Sequence, residues 1–116
     1  MKRIFLFIAI FFAIVIFSCN SSKKASDGLP LWVRELRSSF EKDNAHAMIV
    51  EYSYKGKTVY LVSSCYQCPD AIDAVYDKDK NKLCEFGGID GRNTCPDFAQ
   101  QATNKKYIWQ NKNFQY

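Results

Sequence analysis

The stretch "AMIVEYSYKGKTVYLVSS", Ala47 to Ser64, carries the decision about the fold. Two runs rich in β-branched and aromatic residues flank Lys55-Gly56, and a glycine at that point permits the positive φ of a two-residue hairpin turn. Such a loop pairs Tyr54 with Lys57, Tyr52 with Val59 and Val50 with Leu61, all on one face with Met48. Glu51 opposite Tyr60 and Ser53 opposite Thr58 share the other face. The aliphatic residues thus gather on one side, as a half-buried sheet requires, because a slip of one residue would turn them all outward.

Upstream, Trp32, Leu36 and Phe40 recur at helical spacing from Leu31 to about Lys42, with Arg34, Glu35, Arg37 and Glu41 between them. This predicts an amphipathic helix, with Pro30 suited to its first turn and Trp32 as a core anchor. Downstream, "AIDAVYDKDKNKLCEF" reads as a second hairpin turning through Asp77 to Asn81, since Asp and Asn bond their own backbone in turns. A glycine loop follows, then a short helix near Pro96 and a last strand in which Tyr107 and Trp109 alternate with Ile108. The expected fold is α+β: an N-terminal amphipathic helix packed on a four- to five-stranded antiparallel sheet, stapled by disulfides.

The chain opens with Lys2 and Arg3 and then an unbroken apolar run, Ile4 to Phe17. That run is short for a membrane span of about 20 residues and suits the apolar core of a signal peptide. It ends "IFSC", which resembles the lipobox of bacterial lipoproteins. The resemblance implies cleavage before Cys19 and diacylglyceryl transfer to its thiol, with more than one acyl chain giving stable anchoring. Asn20 stands where some Gram-negative lipoproteins carry an Asp that retains them in the inner membrane, which leans towards the outer membrane. Residues 1–18 are then the signal, residues 19–28 a polar lipidated tether, and residues 29–116 one α+β domain. Removing Lys2 and Arg3 takes the formal charge from +4 to +2, so the tail "NKKYIWQNKNFQY" reads as a solvated strand rather than a nucleic-acid surface.

With Cys19 assigned to lipid, Cys65, Cys68, Cys84 and Cys95 remain, an even set that suits a disulfide framework in an oxidising compartment. Sequence does not choose among their three pairings; a link between the hairpins, Cys65–Cys84 with Cys68–Cys95, is one arrangement the strand order accommodates. "CYQCPD" resembles a thioredoxin active site, but the downstream βαβ unit is missing and Cys84 and Cys95 are left without a role. A zinc ribbon fits Cys65, Cys68 and Cys84, whereas Cys95 comes ten residues later instead of about two. "DKDKN" imitates the start of a calcium loop without its glycine and closing Glu. His46, the sole histidine, Ser63 and Ser64, and the carboxylates Asp70, Asp73, Glu85, Asp90 and Asp97 form no spacing that marks catalysis. No metal, cofactor or catalytic residue is therefore assigned.

Taken together, "YSYKGKTVYLV", the close cysteines, "VYDKDKNKLCEFGG", "CPDF" and the closing "YIW" resemble a family of small Gram-negative lipoproteins carrying an uncharacterised domain, over roughly Leu29 to Gln110. Two departures are that Cys65 and Cys68 are spaced by two where the family has adjacent cysteines, and that the glycine loop is shorter. The resemblance implies the domain and paired cysteines at Cys65, Cys68, Cys84 and Cys95, and no activity. The expected role is a lipid-anchored, non-enzymatic module that binds an envelope protein or ligand through an exposed sheet face or the glycine loop, Gly87 to Gly91. The alternatives are a thiol-disulfide oxidoreductase using Cys65 and Cys68, and an inhibitor of an envelope hydrolase that presents a braced loop.

Overall fold

A computed structural model describes residues 27–113. The signal segment, Cys19 and most of the tether lie outside the described residues. One helix, α1 (Leu31–Lys42), precedes hairpin β1 (Met48–Tyr54) and β2 (Lys57–Ser63). A second hairpin follows, β3 (Ile72–Asp77) and β4 (Lys82–Gly87), then β5 (Arg92–Asn93), the short helix α2 (Phe98–Gln101) and β6 (Thr103–Gln110). The strands form one antiparallel sheet in the order β5-β4-β3-β2-β1-β6. The helix on an antiparallel sheet is as the sequence implies. The described residues form six strands, because the two-residue β5 turns back along Phe86 and Gly87.

The first hairpin has the expected register, Tyr54 opposite Lys57 through Met48 opposite Ser63. Lys55 and Gly56 have φ of 50° and 75°, the pair of positive values a type I′ turn needs. In α1, the Pro30 carbonyl accepts from the Val33 and Arg34 N–H groups at 3.1 and 3.2 Å. Pro30 therefore stands just before the helix rather than inside its first turn.

Both sheet faces are covered, where the alternation of the hairpin suggests one. Beneath α1 lie Ile49 and Tyr60, packed with Leu29, Val33, Trp32, Leu36, Phe40 and Ile108. Trp32 meets the Tyr60 and Tyr76 rings edge-on at 5.7 Å, and its indole N–H donates to the Lys78 carbonyl at 2.9 Å. That bond satisfies the polar end of a half-buried ring and ties the helix to the second hairpin. On the opposite face Val59, Leu61, Val75, Cys84 and Cys95 close around Phe98. Phe98, carried by α2, sits 5.0–5.8 Å from the rings of Tyr54, Tyr52 and Phe86. Burying a side chain of this size contributes about 1.5–3 kcal/mol, so each face supplies an appreciable share of a small domain's stability.

The last strand departs from simple alternation. Ile49 pairs with Trp109 and Val50 with Tyr107, so Ile108 is an extra residue bulging between them. Ile108 packs against the α1 layer and Trp109 lies 5.6 Å from Phe40, which puts both on the helix side, while Tyr107 is half exposed.

The loop after β4 is built around glycine. Gly87 has φ of 102°, and a Cβ there would stand 2.4 Å from the Ala71 carbonyl oxygen; Gly91, at φ 63°, has open space. We expect Gly91→Ala to cost about 1–2 kcal/mol for its left-handed backbone, and Gly87→Ala to cost clearly more because the clash adds to it. Urea unfolding of the two variants checks the order; equal losses would remove the role of the Ala71 contact.

Candidate functional site

The four cysteines among the described residues form two separate pairs. Cys65 pairs with Cys68 and Cys84 with Cys95, at Cα separations of 5.5 and 5.7 Å. The cross-hairpin arrangement Cys65–Cys84 with Cys68–Cys95 is thus corrected. The reason is register: Leu61 faces Val75, and Val75 faces Cys84. Cys84 is therefore level with Leu61, and Cys65 lies four residues farther along, about 13 Å at a strand rise of about 3.3 Å per residue. A disulfide needs Cα atoms within about 7 Å.

Cys84 on β4 and Cys95 beyond β5 are buried and join the core around Phe98. Their bond closes the hairpin that carries the glycine loop. The Asn93 side-chain carbonyl accepts from the Cys95 N–H at 3.1 Å, and the Cys95 carbonyl accepts from the Phe98 N–H at 3.1 Å. This places Asp97 under the first turn. The Tyr54 hydroxyl donates to one of its oxygens at 2.8 Å, and the Lys55 ammonium meets the other at 3.2 Å. The Tyr54 hydrogen bond above all, with Lys55, holds the Asp97 carboxyl below its usual range against the opposing effect of desolvation. An open recess of about 590 Å³ lies alongside, walled by Leu83, Pro96 and the disulfide, with Lys57 and Thr94 at its edge.

The tip of the same hairpin presents Ile89, 93% exposed. The loop below it is braced: the Gly88 N–H donates to the Ala71 carbonyl at 2.9 Å, and the Gly91 N–H to the Gly88 carbonyl at 3.1 Å. Arg92 reaches Asp90 and Glu85, each at 3.0 Å.

At the open end, the chain enters the hairpin past His46 and leaves it through Cys65. Met48 opposite Ser63 is the last regular pair, and two steps farther the same register sets His46 against Cys65. The Tyr66 N–H donates to the His46 carbonyl at 3.2 Å, and the Tyr66 ring packs on the imidazole at 4.4 Å. His46 Nδ1 lies 3.9 Å from Cys65 Sγ. This neighbour was legible in advance, because the register inferred from Lys55-Gly56 implies it when extended beyond the regular strands.

The remaining candidates are spread apart. Asp77 accepts from the Asp79 and Asn81 N–H groups at 2.8 and 2.9 Å and from the Asn81 amide at 3.0 Å, so its carboxylate closes its own turn. Asp73 stands opposite Ser63 on β3; burial pushes its carboxyl up, partly offset by the Ser63 hydroxyl. After Cys68 the chain runs into β3, not into a helix whose N-terminus would lower a thiol pKa. Glu85 and Asp90 are taken up by Arg92.

Residues 36–111 match a domain of unknown function, DUF6970, and the chain belongs to that family. No curated protein and no solved structure matches it.

Two outcomes follow from the geometry. On loop-closure entropy, removing Cys84–Cys95 by a double Ala substitution should cost about 3 kcal/mol, and removing Cys65–Cys68 about 2 kcal/mol or less. Calorimetry of both variants tests this, and a larger loss at Cys65–Cys68 would reverse the assignment of the main staple. Asp97 favours its ionised form in the folded chain, so its contribution is complete above about pH 4 and fades as the pH falls through its depressed value. Asp97→Asn should therefore lower the melting temperature at pH 7 and have little effect at about pH 2; a difference that persists in acid would show that the carboxylate charge is not what matters.

Proposed function

We propose that the chain is a lipid-anchored lipoprotein of the cell envelope, held to the outer membrane through Cys19, whose domain binds an envelope protein or other envelope component. The feature that carries the binding reading is Ile89, displayed at the tip of a hairpin that Cys84–Cys95 closes and Arg92 braces. Single exposed apolar side chains are common and mean little alone. This one sits on a loop whose conformation is set before any partner arrives, so less ordering entropy opposes binding. The same feature suits the narrower role of an inhibitor that inserts a rigid loop into a cleft.

A second reading, thiol-disulfide exchange at Cys65 and Cys68, is supported by their pairing with each other and by His46 Nδ1 at 3.9 Å from Cys65 Sγ. A thiol pKa for Cys65 near the unperturbed value of about 8.5 in the reduced chain would end that reading.

Cys19→Ser should move the protein from the membrane to the soluble fraction, and retention in the membrane would remove the anchor. A photo-crosslinking residue at position 89 should give a discrete adduct in intact cells, while the same residue at Lys42 on α1 should not. Adducts of equal yield at both positions, or none at 89, would contradict binding through this loop.

A further inference from the structure

His46, Cys65 and Cys68 form the one group of three His, Cys, Asp or Glu side chains among the described residues whose ligand atoms all lie within 4.8 Å of one another. We propose that, with the disulfide open, these three residues bind one Zn(II) ion and leave its fourth position to solvent.

The chemistry of the donor set points to this metal. Two thiolates and an imidazole form a set that zinc takes, with Zn–S of about 2.3 Å and Zn–N of about 2.0 Å. Tetrahedral geometry then puts a sulfur and a nitrogen about 3.5 Å apart and the two sulfurs about 3.8 Å apart. His46 Nδ1 and Cys65 Sγ already stand at 3.9 Å. The sulfur–sulfur separation has to open and the histidine, within 4.8 Å of both sulfurs, has to close on them; the Cys-x-x-Cys spacing is one that chelates zinc.

The backbone around the three residues is fixed. The Cys68 N–H donates to the Cys65 carbonyl at 3.2 Å and the Ala71 N–H to the Cys68 carbonyl at 3.2 Å, with Gln67 at φ 69° between the cysteines. Turned in this way, both sulfurs lie within 4.8 Å of the histidine's ligand atom. The segment bearing His46 is clamped from the far end of the chain by Asn111, which is buried. Its amide donates to the Asn44 carbonyl and side chain at 3.2 and 3.0 Å and to the Ala45 carbonyl at 3.2 Å, and its N–H donates to the Ala47 carbonyl at 3.4 Å. The Tyr66 hydroxyl donates to the Asn111 carbonyl, so the cysteine loop and the histidine segment share one anchor. A site held by its surroundings loses little on binding metal. All three ligands are half-buried, which leaves room for a water on the fourth position.

The steps balance as follows. A dithiol reductant gives two electrons and two protons to the Cys65–Cys68 bond and leaves as its own disulfide. The two thiols each release a proton as the Zn–S bonds form, and His46 joins as neutral imidazole. Cys84 and Cys95 belong to the core and take no part.

The test uses the full chain carrying Cys19→Ser, which removes a competing thiol. It is reduced anaerobically until mapping shows Cys65–Cys68 open and Cys84–Cys95 intact, then titrated with Zn(II) against a chromophoric chelator. One equivalent should bind after reduction and none before it. His46→Ala should weaken binding at least tenfold, and Cys65→Ser with Cys68→Ser should abolish it. Zinc X-ray absorption of the unsubstituted site should show two sulfurs and at least one nitrogen, a readout that holds even if His46→Ala does not fold. Failure of the reduced chain to bind, unchanged affinity in a folded His46→Ala variant, binding that survives loss of both cysteines, or a four-sulfur site would each overturn the proposal.

Discussion

The two-residue turn at Lys55-Gly56 sets the register on which the rest of the molecule is aligned. Because β1 and β2 both lie inside the sheet, β6 joins one side of the hairpin and β3 the other. A slip of β2 by one residue would exchange Tyr60, which α1 covers, for Val59 or Leu61, which Phe98 covers. It would also separate the groups at both ends. At the turn end the register brings Tyr54 and Lys55 over Asp97; at the open end it carries His46 to Cys65. One backbone constraint thus places two chemically different corners.

Those corners use their cysteines differently. Cys84 and Cys95 are buried, separated by eleven residues in sequence, and continuous with the core. Their bond constrains the unfolded chain and holds the base of the glycine hairpin. Cys65 and Cys68 are close in sequence, lie beyond the regular strands and are half-buried. A loop that short constrains little, so stability gives a weak reason for the bond.

Much of this was legible in the residues. The helix from Leu31 to Lys42 follows from its apolar spacing, and both hairpins follow from their turn residues. What local patterns missed were features decided at long range. Tyr60 reads as an outward residue until α1 folds over it, and Ile108 reads as alternating until the bulge turns it towards the helix. Two residues at β5 are too few to carry a periodic signal. The disulfide pairing depends on how far each cysteine lies along its strand, which spacing in sequence does not encode. Phe98 and Asp97 stand beside the cysteine in "CPDF", yet their partners Tyr54 and Lys55 are more than forty residues away.

The most direct measurement is a disulfide map of the oxidised protein, made by proteolysis and mass spectrometry without reductant and repeated at rising dithiol concentration. If the hairpin register holds the cysteines as described, the peptides are linked Cys65 to Cys68 and Cys84 to Cys95. The half-buried Cys65–Cys68 bond then opens first. Peptides joining Cys65 to Cys84 or Cys68 to Cys95 would contradict the register at its root, and with it the placement of His46 beside a cysteine pair.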